Sequence, residues 1–216
     1  MNLKIDYKNT TTYEMNAFVG FPIVEYSTEW LTENGYLTPT KCYFINNELE
    51  YENEKYTDGY DRCIVQNNKR NNIVKQIVDN NKDKKILILT KLIKHGEILN
   101  ELIPNSKLIT SNTNKIDRKY DFNSYKLGEY NILIGSYMLY STGINIPEID
   151  IIINVSGNKS SISDLQSIGR AMRKSDGKEF AYYYDFYDYG SKYFTSASKQ
   201  RINILKEFGH EVEIIK

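Results

Sequence analysis

The chain has 216 residues, 40% of them hydrophobic and 26% charged, enough for one substantial core that buries about 70% of the unfolded surface. Lys and Arg total 28 and Asp and Glu total 28, a balance that excludes a general cationic field for coating nucleic acid or anionic membrane while leaving local clusters open. A mean hydropathy of −0.55 and the absence of any apolar run near ~18 residues exclude a transmembrane helix. The start, MNLKIDYKNTTTYE, lacks the apolar core of a signal peptide, so a cytoplasmic protein with no membrane partner is expected. Cys42 and Cys63 are too few for a disulfide framework or a zinc site, and no metal ligands are assigned. The 19 tyrosines, with abundant Asn, Ile and Lys, read as the codon bias of an AT-rich genome rather than as an aromatic binding stripe.

In chain order, Phe18 to Val24 and Lys41 to Ile45 read as strands flanking a short helix from Ser27 to Asn34, closed by Gly35 in the position a helix C-cap favours. Glu48 to Asp61 is polar and reads as an exposed loop or short helix. Asn68 to Asn80 is expected to be a helix leading into a sheet. From Lys85 onward, β-branched runs alternate with amphipathic stretches, the signature of βα units stacked on a parallel sheet. The expected strands are Ile86 to Thr90, Lys107 to Thr110, Asn131 to Gly135, Ile149 to Val155 and Phe180 to Asp185. Several are apolar on both faces, as strands covered by helices on both sides are. The expected helices between them are Ile93 to Leu102, Lys115 to Leu127, Ser163 to Arg173 and Ser191 to Phe208.

Several chemistries are missing. No glycine lies in the context G-x-x-x-x-G-K-[ST], in which backbone amides wrap phosphates and a lysine reaches the terminal ones. There is no G-x-G-x-x-G, no adjacent Asp-Glu pair to hold magnesium and no H-E-x-x-H. His95 and His210 stand alone. A self-sufficient nucleotidase, dehydrogenase or metalloenzyme is not expected.

Two segments carry chemistry. In Ser163-Asp164-Leu165-Gln166-Ser167-Ile168-Gly169-Arg170-Ala171-Met172-Arg173, a Ser-Asp start suits an N-cap, and Leu165, Ile168 and Met172 are spaced to pack one face on a sheet. At about 100° per residue, Gln166, Arg170 and Arg173 fall within about 60° of one another on another face. One amide and two guanidinium groups so placed suit a polyphosphate, against the bland reading of a solvated basic helix face. In the second segment, a buried strand ends at Gly135-Ser136 and is followed by Tyr137 to Tyr140 and Ser141-Thr142-Gly143-Ile144-Asn145-Ile146-Pro147. A hydroxyl-rich loop at a strand's carboxyl end is where ligands bind in open α/β sheets.

In this order the segments resemble the second RecA-like lobe of superfamily 2 helicases and translocases. ILILTKLIKHGEIL (Ile86 to Leu99) is similar to motif IV, Ile134 to Asp150 to motif V, and QSIGRAMR (Gln166 to Arg173) matches the motif VI pattern Q-x-x-G-R-x-x-R at its defining positions. The tail from Phe180 is similar to the end of phage UvsW-type recombination helicases. The resemblance implies an α/β, RecA-like parallel sheet with helices on both faces and an N-terminal β-rich connecting arm. It divides the chain into residues 1–67, the end of a first lobe plus an inter-lobe arm, and 68–216, the helicase C-terminal domain.

The function so implied is that of the C-terminal lobe of an ATP-dependent DNA helicase, the ATP-binding first lobe being absent from this chain. The alternative is a noncatalytic nucleic-acid-binding or regulatory module that keeps the fold. By resemblance Arg170 and Arg173 reach the γ-phosphate, Gln166 positions them or the attacking water, and Gly143, Asn145 and Gly169 line the ATP cleft. Asn145 stands where the family usually has Asp. Thr90, Ser136 and Thr142 are the candidates for nucleic-acid phosphate contacts. The implied cofactors are ATP and Mg2+, the metal held by the missing lobe. The implied partners are single-stranded or branched DNA, with RNA not excluded, and a separately encoded first lobe. The chain alone, without P-loop or Asp-Glu box, is expected to be inactive. The arginine-bearing helix is expected to face the carboxyl edge of the sheet.

Overall fold

Continuous apolar runs at Ile86–Thr90 (β2), Ile132–Ser136 (β4) and Ile151–Asn154 (β5) form the middle of a parallel sheet, because strands covered on both faces need apolar side chains at every position. The computed structural model describes residues 26–50, 55–136, 149–159, 168–169, 171–175 and 177–216. Among these, Thr40–Glu48 (β1), Ser106–Ile109 (β3), Ala181–Tyr189 (β6) and Val212–Ile215 (β7) complete seven strands in the order β3-β4-β2-β5-β6-β1-β7, every pairing parallel.

Two strands depart from the sequence expectation. Lys41 to Ile45 reads as part of a connecting arm, yet β1 inserts between β6 and β7, paired from Thr40 with Ala181 to Glu48 with Tyr189. The compact unit that holds the sheet runs from Thr38 to Lys216. The other departure is β7, which is short and polar at Glu213 and so carries no continuous apolar signal; it forms because β1 offers it an edge. The expected strand at Phe18 to Val24 lies outside the described residues.

Helices cover both faces. Asn68–Asp79 (α3) and Ile93–Leu102 (α4) bury Val74, Val78 and Leu99 against Ile86, Ile88, Ile134, Ile153 and Phe186. Alternation along a strand turns Leu87, Leu89, Leu133 and Ile152 to the other face, and these are equally enclosed. Lys192–Glu207 (α6) packs there on β6. Lys115–Leu127 (α5) follows β3, capped by Asn114, whose side chain accepts from the Asp117 amide. Tyr56–Tyr60 (α2), a short helix within the stretch that read as a loop or short helix, runs into a π-helical turn, Asp61–Val65. No helix among the described residues is long and apolar enough to cross a membrane.

Residues 1–37 form a separate unit, described from Tyr26. Its helix, Thr28–Glu33 (α1), is capped by Ser27, which accepts from the Trp30 amide, and closes with Tyr36 N–H bonded to Leu31 O and Gly35 N–H to Thr32 O. Trp30 stacks between Tyr26 at 4.3 Å and Tyr36 at 5.8 Å.

Candidate functional site

The carboxyl ends of β2 and β4 bring two of the expected residues together. Thr90 and Ser136 are register partners, so their backbones lie side by side where the motif V loop begins. Their side chains fare differently. Ser136 is partly exposed, whereas Thr90 is 1% exposed and turned toward α4. A Cβ built on Gly96 would lie 3.7 Å from Thr90 Oγ1 and 2.7 Å from Leu108 Cδ1, so the missing side chain at Gly96 is what lets α4 close over the strand ends. Thr142, Gly143 and Asn145 lie outside the described residues.

The described part of the QSIGRAMR segment shows the expected division of faces. Ile168, Ala171 and Met172 are buried while Gly169 and Arg173 are exposed. Gln166 and Arg170 lie outside the described residues. The described end of the segment also shows where its backbone sits on the sheet. Thr38, just before β1, donates its N–H to Met172 O at 2.8 Å and its hydroxyl to Arg173 O at 3.5 Å. Lys178, just before β6, donates to Ala171 O at 2.6 Å. These partners precede their strands, so the segment ends at the amino edge of the sheet, opposite the edge that holds Thr90 and Ser136.

Between the two edges stands a buried charged framework that the sequence did not reveal. Asp185 in β6 receives a two-pronged pair from Arg201 of α6, Nε to Oδ2 at 2.8 Å and Nη2 to Oδ1 at 2.9 Å, with both side chains fully enclosed. Asn154 donates to Asp185 Oδ2 at 2.8 Å and accepts from Ser156, Oγ to Oδ1, at 2.7 Å. Arg201 Nη1 also donates to Asn158 O. On the opposite face of β6, Asp188 pairs with Arg70 of α3 and accepts from Asn47 at 2.7 Å. Burial pushes the Asp188 carboxyl above the usual carboxylate range, against the opposing pull of the Arg70 guanidinium. Arg70 lies 3.8 Å over the Phe186 ring and donates to Val155 O at 3.3 Å. Together the two arginines tie residues 155–158, the chain leading toward QSIGRAMR, to both covering helices. Charged residues among the aromatics of AYYYDFYDY were the available signal, but their partners lie far away, as with Arg70 and Asp188 at a separation of 118.

Among the described residues, the carboxyl edge offers the partly exposed Ser136 hydroxyl and the amino edge the exposed Arg173. Neither edge gathers a carboxylate cluster: among the described residues no group of three or more His, Cys, Asp or Glu could hold a metal ion. The donor chemistry suits phosphate oxygens.

Comparison with known proteins agrees with this geometry. The family described as helicase conserved C-terminal domain matches residues 68–175. The chain is 30% identical over 115 residues to the ATP-dependent DNA helicase uvsW of Enterobacteria phage T4, covering 50% of this chain and 22% of that protein. It is 29% identical over 131 residues to the putative ATP-dependent RNA helicase L396 of Acanthamoeba polyphaga mimivirus, covering 60% and 25%. Among solved structures, T4 UvsW superposes with a TM-score of 0.65 at 19% identity, over 82% of this chain and 41% of that one. The C-terminal domain of the DEAD-box protein Dbp5 gives 0.58 at 15% identity, over 82% and 89%. The matched stretch spans a quarter or less of the two curated relatives' length.

Proposed function

Since the chain belongs to the helicase conserved C-terminal domain family, we propose that it works as the C-terminal lobe of an ATP-dependent superfamily 2 DNA helicase or translocase, completed by a first lobe that carries the P-loop. The observation that supports this most is the extent of the match, 68–175, which takes in Thr90, Ser136 and all of QSIGRAMR in family order.

In this reading Arg170 and Arg173 donate to the terminal phosphate of ATP, since a planar guanidinium donates two bonds at once and keeps its charge. Gln166 holds them or the attacking water in place, and Gly143, Asn145 and Gly169 border the nucleotide. ATP with Mg2+, bound chiefly by the first lobe, supplies the phosphoryl group whose loss reopens the lobes. The exposure of Gly169 and Arg173 beside buried Ile168 and Met172 leaves that face accessible to another lobe. Ser136 and Thr142 contact single-stranded DNA through backbone phosphates. Thr90, enclosed beneath α4, shapes that edge from within. Arg173 at the amino edge and Ser136 at the carboxyl edge stand the length of the strands apart, so one rigid sheet carries lobe movement to the DNA.

Titration of a fluorescein-labelled single-stranded oligodeoxynucleotide with the chain, across salt concentrations, tests the nucleic-acid part. Binding that is weak, indifferent to base sequence and shallow in its salt dependence is expected, because few phosphates are neutralised by charge. No binding at low salt, or a steep slope from many ionic contacts, contradicts it.

A further inference from the structure

Aromatic rings gather at the carboxyl edge of the sheet, beside the Thr90 end of β2. Tyr56 and Tyr60 stand one turn apart on α2, their ring centroids 6.0 Å apart. Tyr193 and Phe194 open α6, and Tyr56 meets both, edge to face with Tyr193 at 6.0 Å and stacked on Phe194 at 5.6 Å. The inner half of this group is core. Tyr60 and Phe194 are enclosed with Leu49, Cys63, Ile64 and Val65, and the Tyr60 hydroxyl donates to Ser156 O at 2.6 Å. The outer half is not, for Tyr56 is 40% exposed and Tyr193 56%.

Cations border the exposed rings. Lys91, the residue after β2, sets its ammonium 4.7 Å from the Tyr60 centroid and 5.5 Å from that of Tyr56. Lys94, one helical step further, is held by Asp61 at 2.9 Å and so is partly neutralised. Burial of the inner rings fixes the outer ones in place, and an aromatic side chain has few torsions to lose on binding. Preformed rings flanked by an ammonium group match the two chemistries of a nucleotide, a flat base and a phosphate.

We propose that Tyr193 and Tyr56 form a base-stacking platform for single-stranded nucleic acid, with Lys91 taking a phosphate beside the stacked base. The proposal rests on the nucleic-acid reading above and extends it, adding a place for bases to a track otherwise made of hydroxyl and amide contacts. The edge-to-face arrangement of the two rings presents a ring face and a ring edge together, so a base enters the angle between them. Every base has a π-face, so the platform tolerates any sequence. The bordering Lys91 favours a polyanion over an apolar protein partner, because an apolar partner would have to leave its ammonium group desolvated or displaced at the rim.

The test compares the full-length chain with Tyr193→Ala, Tyr193→Phe and Lys91→Ala. Each is titrated with a fluorescein-labelled single-stranded oligodeoxynucleotide and with the same backbone made abasic, after thermal unfolding has shown each variant folded. Stacking predicts that the unaltered chain prefers the base-bearing strand by about tenfold or more. Tyr193→Ala should lose that preference while binding the abasic strand as before, Tyr193→Phe should keep it, and Lys91→Ala should lower the salt slope by about 0.7. If the chain binds but Tyr193→Ala retains the preference, or loses affinity equally for both strands, the platform is overturned and the nucleic-acid reading stands. If the unaltered chain binds neither strand, both fall together.

Discussion

Thr90 and Ser136 are register partners at the carboxyl ends of β2 and β4, yet one is sealed beneath α4 and the other reaches solvent. Two residues with the same chemistry on the same edge are thereby given different work. Ser136→Ala should weaken single-stranded DNA binding by about 1 kcal/mol, the net worth of one hydrogen bond, and leave the unfolding midpoint unchanged. Thr90→Val should do the reverse, altering stability while affinity stays the same. Paired titrations and urea unfolding curves distinguish the two residues, and equal loss of affinity in both variants would contradict the assignment.

The Arg201 and Asp185 pair is fully enclosed and joins α6 to β6. Arg201→Met removes the cation and leaves a buried carboxylate that still accepts from the Asn154 and Tyr183 side chains. Breaking a buried pair in this way costs about 3 to 5 kcal/mol. Denaturant unfolding of the variant should show a loss of that order. A loss below about 1 kcal/mol would mean that water reaches the site.

His95 titrates far from its usual range. Asn71 directs its amide nitrogen to Val65 O at 3.0 Å, which turns its oxygen toward His95 Nε2 at 3.0 Å. The imidazole therefore carries its proton on Nε2, with Nδ1 buried and unpartnered. Burial, and secondarily the Arg70 charge, lower its pKa from 6.5 to about 3. A histidine depressed in the folded state stabilises above its unfolded pKa, so its contribution is complete above pH 6.5 and is lost progressively as pH falls toward 3. Replacement by Gln should flatten the decline of unfolding free energy between pH 6.5 and 4. An unchanged slope would mean that other groups govern acid stability.

Gly190 joins β6 to α6 with φ +95°, and a Cβ there would lie 2.4 Å from Leu49 O, a backbone atom that cannot swing aside. Both the backbone conformation and the contact penalise any side chain. Gly190→Ala should cost about 2 to 3 kcal/mol in thermal or urea unfolding. Because the turn also places Tyr193, single-strand affinity should fall with it. A variant as stable as the parent would contradict the geometry.

The central strands and α4 and α5 were legible because their signals are local: continuous apolar runs for β2 and β5, and an apolar periodicity with Asn114 and Gly128 as boundaries for α5. The place of β1 was not. Nothing within Lys41 to Ile45 indicates that it lies beside a strand 141 residues away, because its pairing is written only in backbone hydrogen bonds and register. Separation hid the Arg70 and Asp188 pair, 118 residues apart, and Arg201, 16 residues from Asp185, looks like an ordinary surface arginine on an amphipathic helix. Of the candidate site, the family was legible through the resemblance of its motifs, and the burial of Ile168 and Met172 beside an exposed Arg173 through the apolar spacing. The edge at which Arg173 ends was not, since spacing on a helix says nothing of the helix's direction along a sheet. The aromatic platform was hidden within a high tyrosine content, and only the fold separates Tyr56 and Tyr193 from the remaining tyrosines.

The central claim is that QSIGRAMR acts on ATP from a second lobe. Steady-state ATP hydrolysis, stimulated by single-stranded DNA, should be measured for the chain alone and for the chain reconstituted with a P-loop first lobe, using the parent sequence, Arg170→Lys and Arg173→Lys. Lysine keeps the charge and loses the planar fork, and such arginines are worth about 10³ to 10⁵ in rate. The chain alone should show no turnover. The reconstituted parent should hydrolyse ATP, and each lysine variant should lose orders of magnitude in rate while unfolding at the parent's midpoint. Turnover by the isolated chain that Arg170→Lys leaves intact, or a reconstituted enzyme indifferent to both substitutions, would contradict the account.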